Sequence, residues 1–196
     1  MTMDELLRSF VCLPLQHDLQ KRIAAWIREL KNTAPSLKWV RPEALHVTLK
    51  FLGSLPYPLL CDYCETLRRT LQGEKIPAIA LRLENVEMLP HLRDPRVLCL
   101  RIGGNVVLLE NLQRLVEDVA ETKGIPREKR RFFPHLTLAR VREPRDCSIS
   151  LFESLSSNPL HGVEWIGNTL VVMQSDLRPT GPVYTPISEQ TLLPSS

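Results

Sequence analysis

Two tripeptides carry the residue types of acid-base chemistry at phosphorus: His46-Val47-Thr48 and His135-Leu136-Thr137. A histidine titrates near neutrality, so two imidazoles facing one another can serve as general base and general acid. Threonine hydroxyls can hydrogen-bond the nonbridging oxygens of a phosphate held between them. The chemistry this suits is in-line displacement without a metal, one imidazole taking a proton from the nucleophile while the other gives one to the leaving oxygen. Such geometry needs the pair on opposite sides of the phosphorus, and strands related by a twofold axis supply it. Either tripeptide alone is a weak signal, because a lone strand histidine is more often packed or exposed than catalytic. The repetition makes the pair worth following.

Both tripeptides must be positioned by strands. Leu45, Val47, Leu49 and Phe51 alternate with His46, Thr48 and Lys50, the period of two of a strand with two different faces, predicted over 45–51 and ended by Gly53 and Pro56. Residues 135–140 repeat the pattern, with His135, Thr137 and Ala139 on one face and Leu136, Leu138 and Arg140 on the other. Strict alternation places Lys50 on the face of His46, where it is a candidate nucleic-acid contact. It places Arg140 opposite His135, where an ion pair is expected. Around these strands, apolar residues at helical spacing predict helices near 15–31 (Leu15, Leu19, Ile23, Ile27, Leu30), 57–71 (Leu60, Cys64, Leu67, Leu71) and 105–122 (Leu108, Leu112, Leu115, Val119), the last ended by Gly124. A short helix is predicted near 149–156. Further strands are predicted near 9–13, 39–40, 77–88, 96–102, 162–166, 169–175 and 183–192, with a turn at 90–95. The order strand, helix, histidine strand, helix, strands thus occurs twice, an internal duplication that predicts two lobes with a cleft between them.

Composition narrows the function classes. The chain has 196 residues, 25 Lys+Arg against 22 Asp+Glu, 43% hydrophobic and 24% charged residues, which matches a folded protein and argues against a disordered regulator. No apolar run approaches the roughly 20 residues of a membrane helix. Asp4 and Glu5 stand where a secretory signal would carry basic residues, so export is not expected. Five cysteines, 12, 61, 64, 99 and 147, are an odd number in a chain that needs no stapling, which predicts free thiols in a reducing, cytoplasmic compartment. A net charge of +3 is too small for broad duplex binding, though it leaves room for a local basic patch such as 127–131. Cys61-Asp62-Tyr63-Cys64 lacks a second pair and the strand-to-helix setting of a redox motif, and Gly103-Gly104-Asn105 lacks the Lys-Ser/Thr ending of a phosphate-binding loop.

His46-Val47-Thr48-Leu49-Lys50-Phe51-Leu52-Gly53 and Arg130-Arg131-Phe132-Phe133-Pro134-His135-Leu136-Thr137-Leu138-Ala139-Arg140 resemble the paired signatures of the two-histidine phosphoesterase superfamily. Within it they most resemble the RNA 2',3'-cyclic phosphodiesterases, historically called 2'-5' RNA ligases. Arg8-Ser9-Phe10-Val11 resembles the family's opening strand, and residues 175–184 its closing turn and strand. The departures are Ser9 for an apolar residue, Cys12 for a common alanine, and Thr180 in the closing turn. The resemblance implies an α+β fold over residues 1–196, bilobal and pseudo-twofold, with two antiparallel sheets lining a central cleft and helices outside. It implies no metal and no cofactor, and opening of an RNA-terminal 2',3'-cyclic phosphate to a 2'-phosphate. His46 and His135 become acid and base, with His46 assigned as the acid by analogy, while Thr48 and Thr137 hold the phosphate. Arg130 matches an arginine that could pair with a phosphate oxygen. Phe10 is a candidate base-stacking ring as well as a core residue. The expected partner is RNA or an oligonucleotide with a cyclic phosphate end, acted on by a monomer with no membrane contact. The same histidines could support 2'-5' ligation or 2'-5' phosphodiester cleavage by using a ribose hydroxyl in place of water, and a third alternative is a nucleotide-binding module without turnover.

Overall fold

The computed structural model describes residues 5–179 and 181–194, so Asp4 and Thr180 lie outside the described residues. In chain order the elements are β1 (Leu6–Pro14), α1 (His17–Thr33), β2 (Lys38–Trp39), β3 (His46–Pro56), α2 (Tyr57–Glu74), β4 (Ile79–Leu89), β5 (Val97–Gly104), α3 (Val106–Thr122), β6 (His135–Arg140), α4 (Ile149–Ser156), β7 (Glu164–Gly167), β8 (Thr169–Arg178) and β9 (Gly181–Thr191). The strand-helix-histidine strand-helix-strand order therefore does occur twice, as β1-α1-β3-α2-β4 and β5-α3-β6-α4 followed by β7 and β8.

The strands line up as β7-β4-β5-β6-β3-β1-β8-β9, with β2 added to β6. One lobe is the antiparallel group β3-β1-β8-β9 and the other β6-β5-β4-β7. The two sheets join into one continuous nine-stranded sheet at a seam, where β3 and β6 share the pair Val47 and Leu136. Each half of the chain sends strands into the other half's sheet: β4 pairs with β5, and β8 pairs with β1. Neither sequence repeat can complete its own sheet.

The helices pack on one side of this surface through stripes of the expected period. Helix α1 buries Leu19, Ile23, Trp26, Ile27 and Leu30. Helix α2 buries Leu60, Tyr63, Cys64, Leu67 and Leu71. In α3 the buried stripe is Leu109, Leu112, Val116 and Val119, so Leu108 and Leu115, expected inside, sit at its margin. Asn105 caps α3 by accepting the Leu108 amide at 3.1 Å, and Gly124, at φ +74°, lies just past its end. These helices cover Val11, Leu13, Val47, Leu49, Leu136 and Leu138, leaving the opposite sheet face to the cleft.

Strict alternation fails at two places, with consequences for the site. Thr48 pairs with Cys12 and Lys50 with Val11, so Leu49 is an extra residue, and Thr137 pairs with Cys99 and Ala139 with Leu98, so Leu138 is another. A bulge of this kind shifts all later side chains to the opposite face. Lys50 is consequently in the core at 1% exposure, not beside His46, and Phe51 is exposed instead. Ala139 is fully buried and Arg140 exposed, the reverse of the predicted faces. Gly53 does not end β3 as expected. It pairs with Ser9 at φ +81°, beside a further irregularity, and the strand continues to Pro56.

Lys50 is accommodated by a carboxylate and a backbone carbonyl. Its Nζ donates to Glu117 Oε2 of α3 at 2.7 Å and to the Pro126 carbonyl at 2.9 Å, while Gln113 Nε2 donates to the other Glu117 oxygen at 3.3 Å. The ion pair ties the histidine strand of the first lobe to a helix of the second.

Candidate active site

The Val47–Leu136 pair sits between the two tripeptides, and the register it sets directs His46 toward Thr137 and His135 toward Thr48. A pseudo-twofold axis through that pair relates the two halves of the site. The symmetry extends to the neighbouring strands, since Cys12 pairs with Thr48 as Cys99 pairs with Thr137. Both cysteines are fully buried, and burial pushes both thiols upward, Cys99 to about 12, so neither is a ready nucleophile.

Each imidazole is held in the same way. His46 Nδ1 lies 2.8 Å from the Ala44 carbonyl, and His135 Nδ1 lies 2.8 Å from the Phe133 carbonyl. A carbonyl only accepts, so Nδ1 must carry the hydrogen in both rings, and Nε2 is left as the nitrogen that can take or give a proton. The equivalent backbone acceptor two residues upstream is thus a property of the repeated signature. Thr48 and Thr137 are partly buried, and among the described residues their hydroxyls form no protein hydrogen bond. They remain free to donate to a phosphate.

The surroundings of the two histidines differ. Phe10 stacks on His46 with ring centroids 4.7 Å apart and 29° between planes, and Tyr184 meets both rings edge-on, at 4.9 Å from Phe10 and 5.3 Å from His46. Phe10 is only 3% exposed, so it forms a wall behind the imidazole instead of offering an open face to a base. Burial pushes the His46 pKa down to about 4, opposed by its bond to the Ala44 carbonyl and aided by the charge of His135. By itself the protein holds His46 neutral at pH 7. On the other side, Phe133 stacks on His135 at 5.8 Å.

Arg130 is exposed and forms no hydrogen bond or ion pair among the described residues, while its neighbour Arg131 lines a groove beside Phe133. Arg140 also lacks an ion pair among the described residues. Its charge acts on Tyr184, as do those of Arg8 and Arg41, so three guanidiniums lie within electrostatic reach of the ring that touches His46. Tyr184 and the reoriented Arg140 were not predicted. The only trace of Tyr184 is its place in the closing strand, and that of Arg140 was masked by the bulge. The remaining histidines, His17, His91 and His161, do not join the site. Among the described residues no group of three or more His, Cys, Asp or Glu side chains is placed to hold a metal ion, and no helix is long and apolar enough to cross a membrane.

Two antiparallel sheets about a pseudo-twofold cleft, with one His-x-Thr from each, define the two-histidine class of phosphoesterases. Within that class the chain belongs to the LigT-like phosphoesterase family, whose sequence pattern matches residues 13–99 and 106–184. It is 32% identical over 182 residues to an RNA 2',3'-cyclic phosphodiesterase of Methanothermobacter thermautotrophicus, covering 91% of this chain and 95% of that one. A protein of the same name from Thermotoga maritima is 25% identical over 183 residues, covering 93% and 94%. Among solved structures, TT0787 of Thermus thermophilus superposes with a TM-score of 0.73 at 28% identity, covering 97% of this chain and all of that one. The fold is also that of Escherichia coli LigT complexed with 3'-AMP, at a TM-score of 0.77 and 23% identity, over 96% of this chain and 99% of that one.

Proposed function

We propose that the protein opens the 2',3'-cyclic phosphate at an RNA end to a 2'-phosphate, without a metal, using His46 and His135 as proton-transfer groups. The observation that carries this reading is the matched pair of imidazoles, each fixed through Nδ1 to a backbone carbonyl at 2.8 Å with Nε2 free, beside two unspent threonine hydroxyls. That arrangement provides one proton acceptor, one proton donor and two hydroxyl donors for the nonbridging oxygens. The relatives named above, called RNA 2',3'-cyclic phosphodiesterases, support the choice of ester.

In the proposed reaction His135 takes a proton from water as the oxygen attacks phosphorus, and His46 gives one to the departing 3'-oxygen. Because His46 is neutral in the protein alone, it takes up its proton together with the anionic ester, whose charge favours the imidazolium. Phe10 and Tyr184 act through His46 by fixing its plane. Arg140, whose charge reaches Tyr184, would add positive charge beside the phosphate. The reading includes one two-lobed domain working as a cytoplasmic monomer. Incubation with an RNA ending in a cyclic phosphate, with chelator present, tests it: the product expected is a 2'-phosphate. A 3'-phosphate would reverse the orientation of the ester in the cleft, and joining to a second RNA through its 5'-hydroxyl would favour the ligase alternative.

A further inference from the structure

The two lobes are not equivalent at the positions that pair with the histidines. On the first lobe the residue opposite His46 is Pro14, which offers no side-chain donor. On the second, the residue opposite His135 is Arg101. Its guanidinium lies over the ring of Phe133 at 5.8 Å, and that ring stacks on His135. Two carboxylates flank it, with Nε 3.9 Å from Glu84 and Nη1 3.6 Å from Glu87. Those separations hold the group electrostatically but are too long for hydrogen bonds, and among the described residues Arg101 forms none. An arginine oriented by an aromatic ring and two carboxylates, with its N–H groups unspent, is prepared to receive an oxyanion as a fork.

Arg101 opens onto a groove of about 500 Å³ that also involves Arg82, Glu84, Gly103, Arg131 and Phe133. At Gly103 the space a Cβ would fill is taken by the Glu84 side chain. Arg82 Nη2 donates to that carboxylate at 3.1 Å. Glu110 lines the groove as a second carboxylate. Three arginines and two carboxylates line the groove, with Glu87 beside Arg101 as a third carboxylate, and Arg131 has no ion-pair partner among the described residues.

We propose that Arg101, assisted by Arg131, forms a second phosphate site that binds the phosphate joining the terminal nucleotide to the rest of an RNA chain. The inference rests on the functional reading above and sharpens it: the preferred substrate is an oligonucleotide end and not a lone cyclic nucleotide. A phosphate one nucleotide from the reacting one reaches a guanidinium on the strand next to His135. On the other lobe the strand position paired with its histidine is Pro14, so Arg101 has no counterpart at the symmetry-related position.

The test compares a nucleoside 2',3'-cyclic phosphate with the same compound carrying a 5'-phosphate, and with a dinucleotide ending in the cyclic phosphate. In the wild type the added phosphate should raise kcat/KM by roughly tenfold, mostly through KM, with a gain that shrinks as salt rises. In Arg101→Gln the ratio of the two kcat/KM values should fall to about one, and in Arg131→Gln part of the way. Arg28→Gln, on the exposed face of α1, should keep the wild-type ratio. A ratio near one in the wild type, or a tenfold ratio retained in Arg101→Gln, overturns the proposal. If none of the three compounds is hydrolysed, the functional reading itself fails, and this inference with it.

Discussion

His46 is shaped by what stands behind it. The Phe10 and Tyr184 rings remove water from its flank, and the carbonyl of Ala44 fixes its tautomer. With a pKa of about 4 in the folded protein and the ordinary value near 6.5 in the unfolded chain, the unfolded state binds more protons between those values. The stability associated with neutral His46 is therefore present above pH 6.5 and lost as pH falls through about 4. Denaturant titrations at pH 4.5 and 7.5 should show a smaller pH dependence for His46→Gln than for the wild type; equal slopes would mean that His46 is solvated. The threonines belong to the same scale. Thr48→Val and Thr137→Val preserve the β-branched shape and delete a hydroxyl that has no protein partner among the described residues. Each should lower kcat/KM by about 10- to 10³-fold while leaving the denaturation midpoint almost unchanged. Wild-type rates would reassign both to sheet packing.

At the scale of elements, the bulges at Leu49 and Leu138 decide which side chains reach the cleft. They send Lys50 inward to Glu117 and bring Phe51 and Arg140 out. Lys50→Met strands a buried carboxylate and should destabilise the protein by about 3–5 kcal/mol in denaturant unfolding. Adding Glu117→Leu to it should recover much of that loss, because the burial of two well-packed apolar chains replaces that of a charge pair. No recovery in the double variant would show that the pair is needed for packing as such. The strands, their order and the two His-x-Thr signatures were legible because apolar alternation and helical spacing are local. The bulges were not, because an extra residue is defined only against the partner strand: nothing within His46 to Phe51 says that Cys12 pairs with Thr48 and Val11 with Lys50. For the same reason Phe10 could be placed on a strand but not behind His46, and Arg140 was assigned to the wrong face. Arg101 offered no signal at all, since its meaning comes from Phe133 and His135 across a strand pair.

The whole molecule is built by exchange. Strand β4 belongs in sequence to the first repeat and in space to the second lobe, and β8 makes the reverse crossing. The cleft that holds the two histidines is the place where the two repeats meet, so neither half carries both. A fragment of residues 1–92 would leave β4 without β5 and β1 without β8, exposing the apolar faces that those strands cover. It should lack a cooperative thermal transition, and a mixture with residues 93–196 should recover one. A stable, cooperatively melting 1–92 fragment would contradict the interdependence of the lobes.

The proposed centre of this molecule is a pair of histidines sharing one phosphate. The measurement that tests their role most directly is turnover of an RNA carrying a 2',3'-cyclic phosphate end, in chelator, by the wild type, His46→Ala and His135→Ala, with circular dichroism to confirm the fold of each. Each alanine variant should retain native structure and lose about 10²- to 10⁴-fold in rate, while the wild type converts the end to a 2'-phosphate undiminished by chelator. Full activity in either folded variant, or loss of wild-type activity on chelation, would contradict it.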